Sequence, residues 1–451
     1  MNAQEALALR AAIESGDTAR ITAAAHSAHP ADIAAELAGL EPETVSTLLR
    51  AWPSAIRAEI FGYLEPGMQH QVALHSSRAE LAELFLHMSP DERADLFKQL
   101  DEAQRESFLP ALAHAEREDI RTLARYPEDT AGAAMTSDYA TIAPGLTATE
   151  AIAHLRQVAP DTETIYQAYV IDENRKLVGV VSLKDLIISP PDARVGDLMN
   201  RNPIFVAATA PRTEAARLIS KYDLIALPVV DAEGRLVGIV TYDDAMDISE
   251  AEATADFGKV GAVEALPMGL KEAPVSLLYR KRVFWLVVLV FGNLGSGAAI
   301  AYFEDTIAAH LALVFFLPLL TASSGNAGAQ SATLMVRALA TGDVMLRDWA
   351  TMLLRELGVA AMLGATMALA VWGIGLWRGG VEVAMLVALT MMVVVIAGSL
   401  IGIALPFLLD RFKLDPAASS APLITSIADA IGVMVYFGLA TVLLGLPHAH
   451  G

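Results

Sequence analysis

The chain has 451 residues, more than one ordinary domain, and its 54% hydrophobic content is too high for a purely soluble protein. The formal net charge is −20, and because residues 276–451 hold 9 Lys plus Arg against 9 Asp plus Glu, the whole excess lies on residues 1–275. That acidity excludes nucleic acid as a partner and attracts cations, and the lack of cysteine excludes disulfides, thiolate metal sites and cysteine nucleophiles.

The opening MNAQEALALRAAIESGD carries acids and no apolar stretch, so no signal peptide is expected there. From Ala31 to Arg125 apolar residues recur at helical spacing, with breaks at Glu41-Pro42, Trp52-Pro53, Glu65-Pro66 and Ser89-Pro90. This pattern predicts short stacked helices in a superhelix over residues 1–128.

Between Tyr126 and Glu250 short β-type runs alternate with amphipathic segments, and an internal repeat appears. The stretch from Tyr169 through Asp172 and Gly179 to Asp185 returns 59 residues later, from Pro228 through Asp231 and Gly238 to Asp244. Each copy reads as strand, Asp-centred turn, strand and helix start. Each follows a methionine-led entry, at Met135 and Met199. The repeated pattern resembles a tandem pair of CBS domains, placed at 129–192 and 193–248, a module that commonly binds adenine nucleotides or ions and regulates an attached protein.

A connecting helix and linker are expected at 249–279, and a membrane domain at 280–451 introduced by Arg280-Lys281-Arg282. Five apolar stretches, at 283–303, 310–336, 351–377, 381–409 and 421–446, are long enough to span a bilayer. Arg280, Lys281, Arg282, Arg337, Arg347, Arg355, Arg411 and Lys413 fall on one side, while Glu304, Asp305, Arg378 and Glu382 fall on the other. The positive-inside rule then places the N-terminal half in the cytoplasm and the C-terminus outside a cell membrane, inner or plasma. His448 and His450 in the tail supply at most half a tetrahedral metal shell and read as a plain tail.

Two features of this membrane half carry chemistry. Asp429 lies eight positions into the last stretch, about 12 Å below the cytoplasmic end, where a charge costs roughly 2.5 to 3.5 kcal/mol. Ala421, Thr425, Gly432 and Tyr436 share its helix face; an ion pathway is the functional reading, an interhelical hydrogen bond the structural one. The second stretch carries Pro318, Ser323, Ser324, Gly325, Asn326, Gly328 and Gln330 where leucines would be expected. A broken helix lining a pore is predicted there, against a small-residue packing seam as the alternative.

Gly325-Asn326-x-Gly328-x-Gln330-Ser331-Ala332-Thr333, Asp415-Pro416-Ala417 and Asp429-x-x-Gly432, in this domain order, resemble the MgtE family of magnesium channels along essentially the whole chain. The resemblance implies α, α/β and membrane parts in series: a helical superhelix, a CBS pair, a plug helix and a five-helix bundle, assembled as a homodimer around one pore. It implies Asp429 as the pore carboxylate, Asp415 at the cytoplasmic mouth, and a pore lined by Gly325, Asn326, Gly328, Gln330, Ala421 and Thr425. It also implies regulatory Mg²⁺ bound through Asp244, Asp247, Glu252 and Asp256 on the plug helix, through Glu59, Asp91 and Asp95 in the helical domain, and through Asp223 in the second CBS domain. Cytosolic Mg²⁺ would close the channel, and ATP at the CBS pair is a further expectation.

Ser324, Ala329 and Ala421 depart from the family pattern near the pore, and Ala255, Pro211, Thr213 and Ser220 stand where relatives carry acids. Fewer or weaker regulatory sites are therefore expected. Mg²⁺ suits carboxylates that leave it most of its water. Oxygen ligands leave Co²⁺ or Mn²⁺ open as the cargo, and a membrane-anchored nucleotide sensor is the reading from another class. No nucleotide-hydrolysis loop and no nucleophile–base cluster is present, so no enzyme is expected.

Overall fold

The computed structural model describes residues 3–15, 18–24, 28–261, 273–340, 343–413, 415 and 421–445. His448 and His450 lie outside them, as do Pro416 and Ala417. The chain divides into two compact units, Met1–Glu252 and Ala253–Gly451.

Among the described residues the first unit begins with ten short α-helices, from Ala3–Ser15 to His114–Leu123. Proline opens four of them, at Pro30, Pro42, Pro66 and Pro90, where its missing N–H costs nothing and its fixed φ suits the first turn. Capping boxes start two more, Ser77 with Glu80 and Asp101 with Gln104. The helices bury Ile33, Leu37, Trp52, Ile60, Phe61, Phe85 and Phe108 in one continuous core. The Trp52 indole N–H donates to the Ile21 carbonyl at 3.1 Å, so the buried ring keeps its polar atom satisfied.

Two three-stranded sheets follow, β1 (Tyr139–Ile142), β2 (Thr164–Ile171) and β3 (Leu177–Ser182), then β4 (Val206–Ala207), β5 (Ala226–Val230) and β6 (Leu236–Thr241). The 59-residue repeat holds down to the register: Tyr169 pairs with Val180, and Pro228 with Ile239. Asp172 Oδ1 accepts the backbone N–H groups of Asn174 and Lys176, and Asp231 Oδ1 those of Glu233 and Arg235, so both aspartates are turn formers.

The methionine-led entries are exchanged between the repeats. Thr136, which precedes the first copy, bridges to Ile239 of the second sheet, and Asn200, which precedes the second, bridges to Val180 of the first. A Cβ on Gly238 would meet Met135 Sδ at 2.5 Å, and one on Gly179 would meet Met199 Sδ at 2.6 Å. Glycine is required at both places because the crossing segment lies directly on the strand. One edge of each sheet, β6 and β3 respectively, is thus closed by the other repeat's lead-in.

The helix placed by sequence at 249 starts earlier, as Tyr242–Val260 directly after β6. This helix is called the linking helix below.

Among the described residues of the second unit four helices are long and apolar enough to cross a membrane, but one run, Leu346–Arg411, has 66 residues. At 1.5 Å per residue that is ~99 Å, against a hydrocarbon core of roughly 30 Å, so it is long enough to cross twice. Gly380, at φ 76°, is the break, and residues 349–379 and 381–411 on its two sides are numbered the third and fourth spans below. The first span runs through helices Val275–Gly292 and Leu294–Tyr302, which places Arg280, Lys281 and Arg282 inside a helix and not before it. Long basic stems reach the interface from within a helix, so their charge does not end it.

The expected break in the second span is absent: Leu317–Ala340 is one helix through Ser323 to Gln330. Ser323 and Thr321 return their hydroxyls to carbonyls at 319 and 317, which satisfies them without breaking the ladder. The glycines pack instead. A Cβ on Gly328 would lie 2.7 Å from the Gly398 carbonyl oxygen, and those on Gly398 and Gly402 would strike the backbone of Ser324 and Gly328. The second and fourth spans therefore meet backbone to backbone along a small-residue seam, pinned by a 2.8 Å bond from Ser324 Oγ to the Val394 carbonyl.

Candidate functional site

The fifth span, Ala421–Leu444, lies against the second. Thr425 packs on Gly325, where a Cβ would meet Thr425 Cγ2 at 3.0 Å, and Gly432 faces Thr321. Asp429 is half-buried between these two levels, with Ala421 and Thr425, also half-buried, on the turns before it. Its carboxylate makes no hydrogen bond or ion pair to any described residue. Asn326 and Gln330 are exposed on the second span, whereas Gly325 and Gly328 are buried in its seams. The residues expected around the pore therefore sort into two kinds: side chains offered outward and glycines that hold the helices close. Tyr436, on the nominal face of Asp429, is fully buried and donates to the Leu313 carbonyl at 3.0 Å, so it braces the bundle.

One acid in the membrane unit escaped the sequence reading. Glu356, on the third span, accepts a 2.5 Å hydrogen bond from Ser331 of the second span. A glutamate inside an apolar window was the available signal.

In the soluble unit, Asp91 and Glu92 open the helix Pro90–Gln99, and Asp244 caps the start of the linking helix, where Thr241 Oγ1 donates to it at 2.5 Å. Burial pushes Asp244 up to about 8, helped by the charges of Asp91 and Asp243. Burial also raises Glu92 to about 7, with Asp91 and Glu163 adding to it. Burial also raises Asp91, Asp138 and Glu163; Asp95 adds to it at Asp91 against local hydrogen bonds, Asp119 and Asp161 add to it at Asp138 against the charge of Arg93, and Asp91, Asp243 and Asp138 add to it at Glu163. Acids of the helical domain, the first CBS domain and the start of the linking helix thus lie near enough to raise one another. Glu92, Asp138, Glu163 and Asp243 join the expected Asp91 and Asp244. The last of these newcomers adjoins Asp244 in sequence, but Glu163 is brought in by tertiary folding alone.

Other expected ligands are dispersed. Glu59, Asp223, Asp247 and Glu252 are exposed; Asp223 ends its helix in the left-handed region at φ 52°. Asp95 is exposed and pairs with Lys98 at 3.3 Å. Among the described residues no three His, Asp or Glu side chains converge as a closed metal cage. Oxygen donors spaced more widely suit an ion that keeps its own water. Asp256 and Asp415 flank one ammonium: Lys259 Nζ lies 3.4 Å from Asp256 Oδ1 and 2.7 Å from Asp415 Oδ2.

A cleft of about 890 Å³ runs along the first CBS domain, beside Thr141 to Leu146, His154 and the β2–β3 turn. Its lining includes Glu150, Asp172 and Glu173 and no Lys or Arg. It is large enough for a nucleotide, yet an acidic wall does not fit a free triphosphate.

Comparison with known proteins agrees with this architecture. A family of divalent cation transporters matches residues 317–439, the intracellular N domain of MgtE matches 28–129, and CBS domains match 131–190 and 195–251. The chain is similar to the magnesium transporter MgtE of Thermus thermophilus, with 39% identity over 98% of this chain and 99% of that protein. The magnesium transporter MgtE of Bacillus subtilis is 36% identical over 71% of each. Among solved structures, the cytosolic domain of the Mg²⁺ channel MgtE in complex with ATP superposes with a TM-score of 0.52 at 38% identity, covering 54% of this chain and 99% of that one. The soluble part of a magnesium transporter gives 0.51 at 28% identity, covering 55% of this chain and 98% of that one.

Proposed function

The chain belongs to the MgtE family of divalent cation transporters, and from that premise we propose that it passes Mg²⁺ through a pore centred on Asp429. The observation that carries this is a half-buried carboxylate in the last span with no protein partner among the described residues. A cation supplies what the protein does not. Two copies related by an axis beside the fifth span would set two such carboxylates around one ion that keeps most of its water, with Thr425 and Asn326 as oxygen neighbours. Gly325 and Gly328 position the walls by letting the second span approach Thr425 and Gly398.

The carboxylate patch of Asp91, Glu92, Glu163 and Asp244 supports a regulatory reading. Its members raise one another's proton affinity, so any cation that enters relieves repulsion. Bound cytosolic Mg²⁺ would draw the soluble domains together and close the pore, with Asp247, Glu252 and Asp256 of the linking helix and Asp415 as further ligands. Loop charge supports a cytoplasmic N-terminal half and an outward C-terminus in the cell membrane. ATP is proposed at the CBS pair, supported by the ATP complex of the similar cytosolic domain, but away from the acidic cleft.

The test is uptake into proteoliposomes containing Mg²⁺, Co²⁺ or Mn²⁺ indicators. Asp429→Ala is expected to abolish uptake while the protein still inserts, because a burial cost disappears with the charge. Wild-type uptake by Asp429→Ala would falsify the pore; preference for Co²⁺ or Mn²⁺ would reassign the cargo.

A further inference from the structure

We propose that Lys259 is a tethered competitor for the divalent ion that Asp256 and Asp415 bind, a proposal that rests on the reading of those two acids as ligands. Asp256 and Lys259 are three apart and share one face of the linking helix. The ammonium contacts both carboxylates, at 3.4 and 2.7 Å, so the chain places its own single charge between two acids contributed by distant segments. It is held at high local concentration by the helix that carries it. A divalent ion must displace it, and metal affinity at this pair is then set by the difference between two cations. Removing the ammonium should tighten metal binding; keeping the charge as arginine should not.

The pair is partly solvated, with side-chain exposures of 37% for Lys259 and 46% for Asp415, so the competition has the size of an exposed ion pair and should alter affinity about two- to fivefold.

The experiment titrates the full-length protein in detergent with Mn²⁺, followed by electron paramagnetic resonance, for wild type, Lys259→Met, Lys259→Gln and Lys259→Arg, each also with Asp415→Asn. The expected result is binding about two- to fivefold tighter in Lys259→Met and Lys259→Gln, no change in Lys259→Arg, and no effect of Lys259→Met once Asp415 is neutral. Equal affinities in wild type and Lys259→Met would overturn the proposal. So would a gain that persists with Asp415→Asn, since the lysine would then act through the general field. Inside-out patches recorded in parallel separate the two ideas. A wild-type channel that ignores cytosolic Mg²⁺ while the Mn²⁺ shifts hold removes the feedback reading and leaves Lys259 as a competitor.

Discussion

Asp244 gives the sharpest test of the carboxylate patch, because Asn can replace it without disturbing its hydrogen bonds: the side-chain oxygen still accepts from Thr241. Burial and the neighbouring acids raise Asp244 from 3.8 to about 8. At about 1.4 kcal/mol for each pH unit, that shift has an upper bound of about 6 kcal/mol. Coupling to Asp91 and partial solvation reduce it to about 2 kcal/mol for the single substitution. The sign follows from linkage. A carboxylate raised in the folded state binds its proton there more tightly than in the unfolded chain, so its contribution is fully present below the unfolded value and is lost as pH rises through about 8. Asp244→Asn should therefore melt with wild type at pH 4 and about 4 to 8 °C above it at pH 8.5 without divalent ions, given about 2 to 4 °C for each kcal/mol in a unit of this size. Differential scanning fluorimetry on residues 1–261 at several pH values, with and without 10 mM Mg²⁺, measures this. Mg²⁺ should raise wild type more than the variant. A gap between the two that does not vary with pH would refute the shared-charge account.

Gly402→Ala should destabilise the membrane unit by about 2 kcal/mol or more, since its Cβ would enter the backbone of Gly328; a loss of monodispersity in size-exclusion chromatography reads it. Glu356→Gln keeps the acceptor for Ser331 and should melt within about 1 kcal/mol of wild type, whereas Glu356→Ala should lose about 1 to 3 kcal/mol, measured by thermal melts in detergent. A cysteine at Thr425 in this cysteine-free chain should give a crosslinked dimer band if two copies share the pore axis; crosslinks confined to other spans of the same chain would remove that axis. A fragment beginning at 138 should lose the second CBS sheet while one beginning at 126 keeps it, because Thr136 pairs with Ile239; amide exchange at Ile239 distinguishes them.

Repeats and proline breaks made the soluble half legible in advance. Helix starts at Pro42, Pro66 and Pro90 and the doubled strand register follow from local chemistry. Hydropathy marked five apolar stretches, and the third and fourth of them lie in one helical run that Gly380, with its left-handed φ, divides. The glycine-rich stretch after Pro318 was misread as a break because glycine signals both flexible and closely packed backbone, and the partner backbone at Gly398 and Gly402 is invisible from position 328. Asp91 and Asp244 were expected, but Glu163 beside them escaped for a similar reason. Glu163 approaches them only through the packing of one domain on another, which no local spacing encodes.

The exchanged lead-ins also set a schedule for synthesis. The segment at Thr136 leaves the ribosome before anything it pairs with, and its partner at Ile239 follows roughly a hundred residues later. At 5–20 residues per second that is an interval of about 5 to 20 s. Throughout it Met135 has no Gly238 to rest on, and the second sheet cannot close until the linking helix is being made. The nascent soluble region thus completes its last edge at about the time the ribosome begins translating the first span.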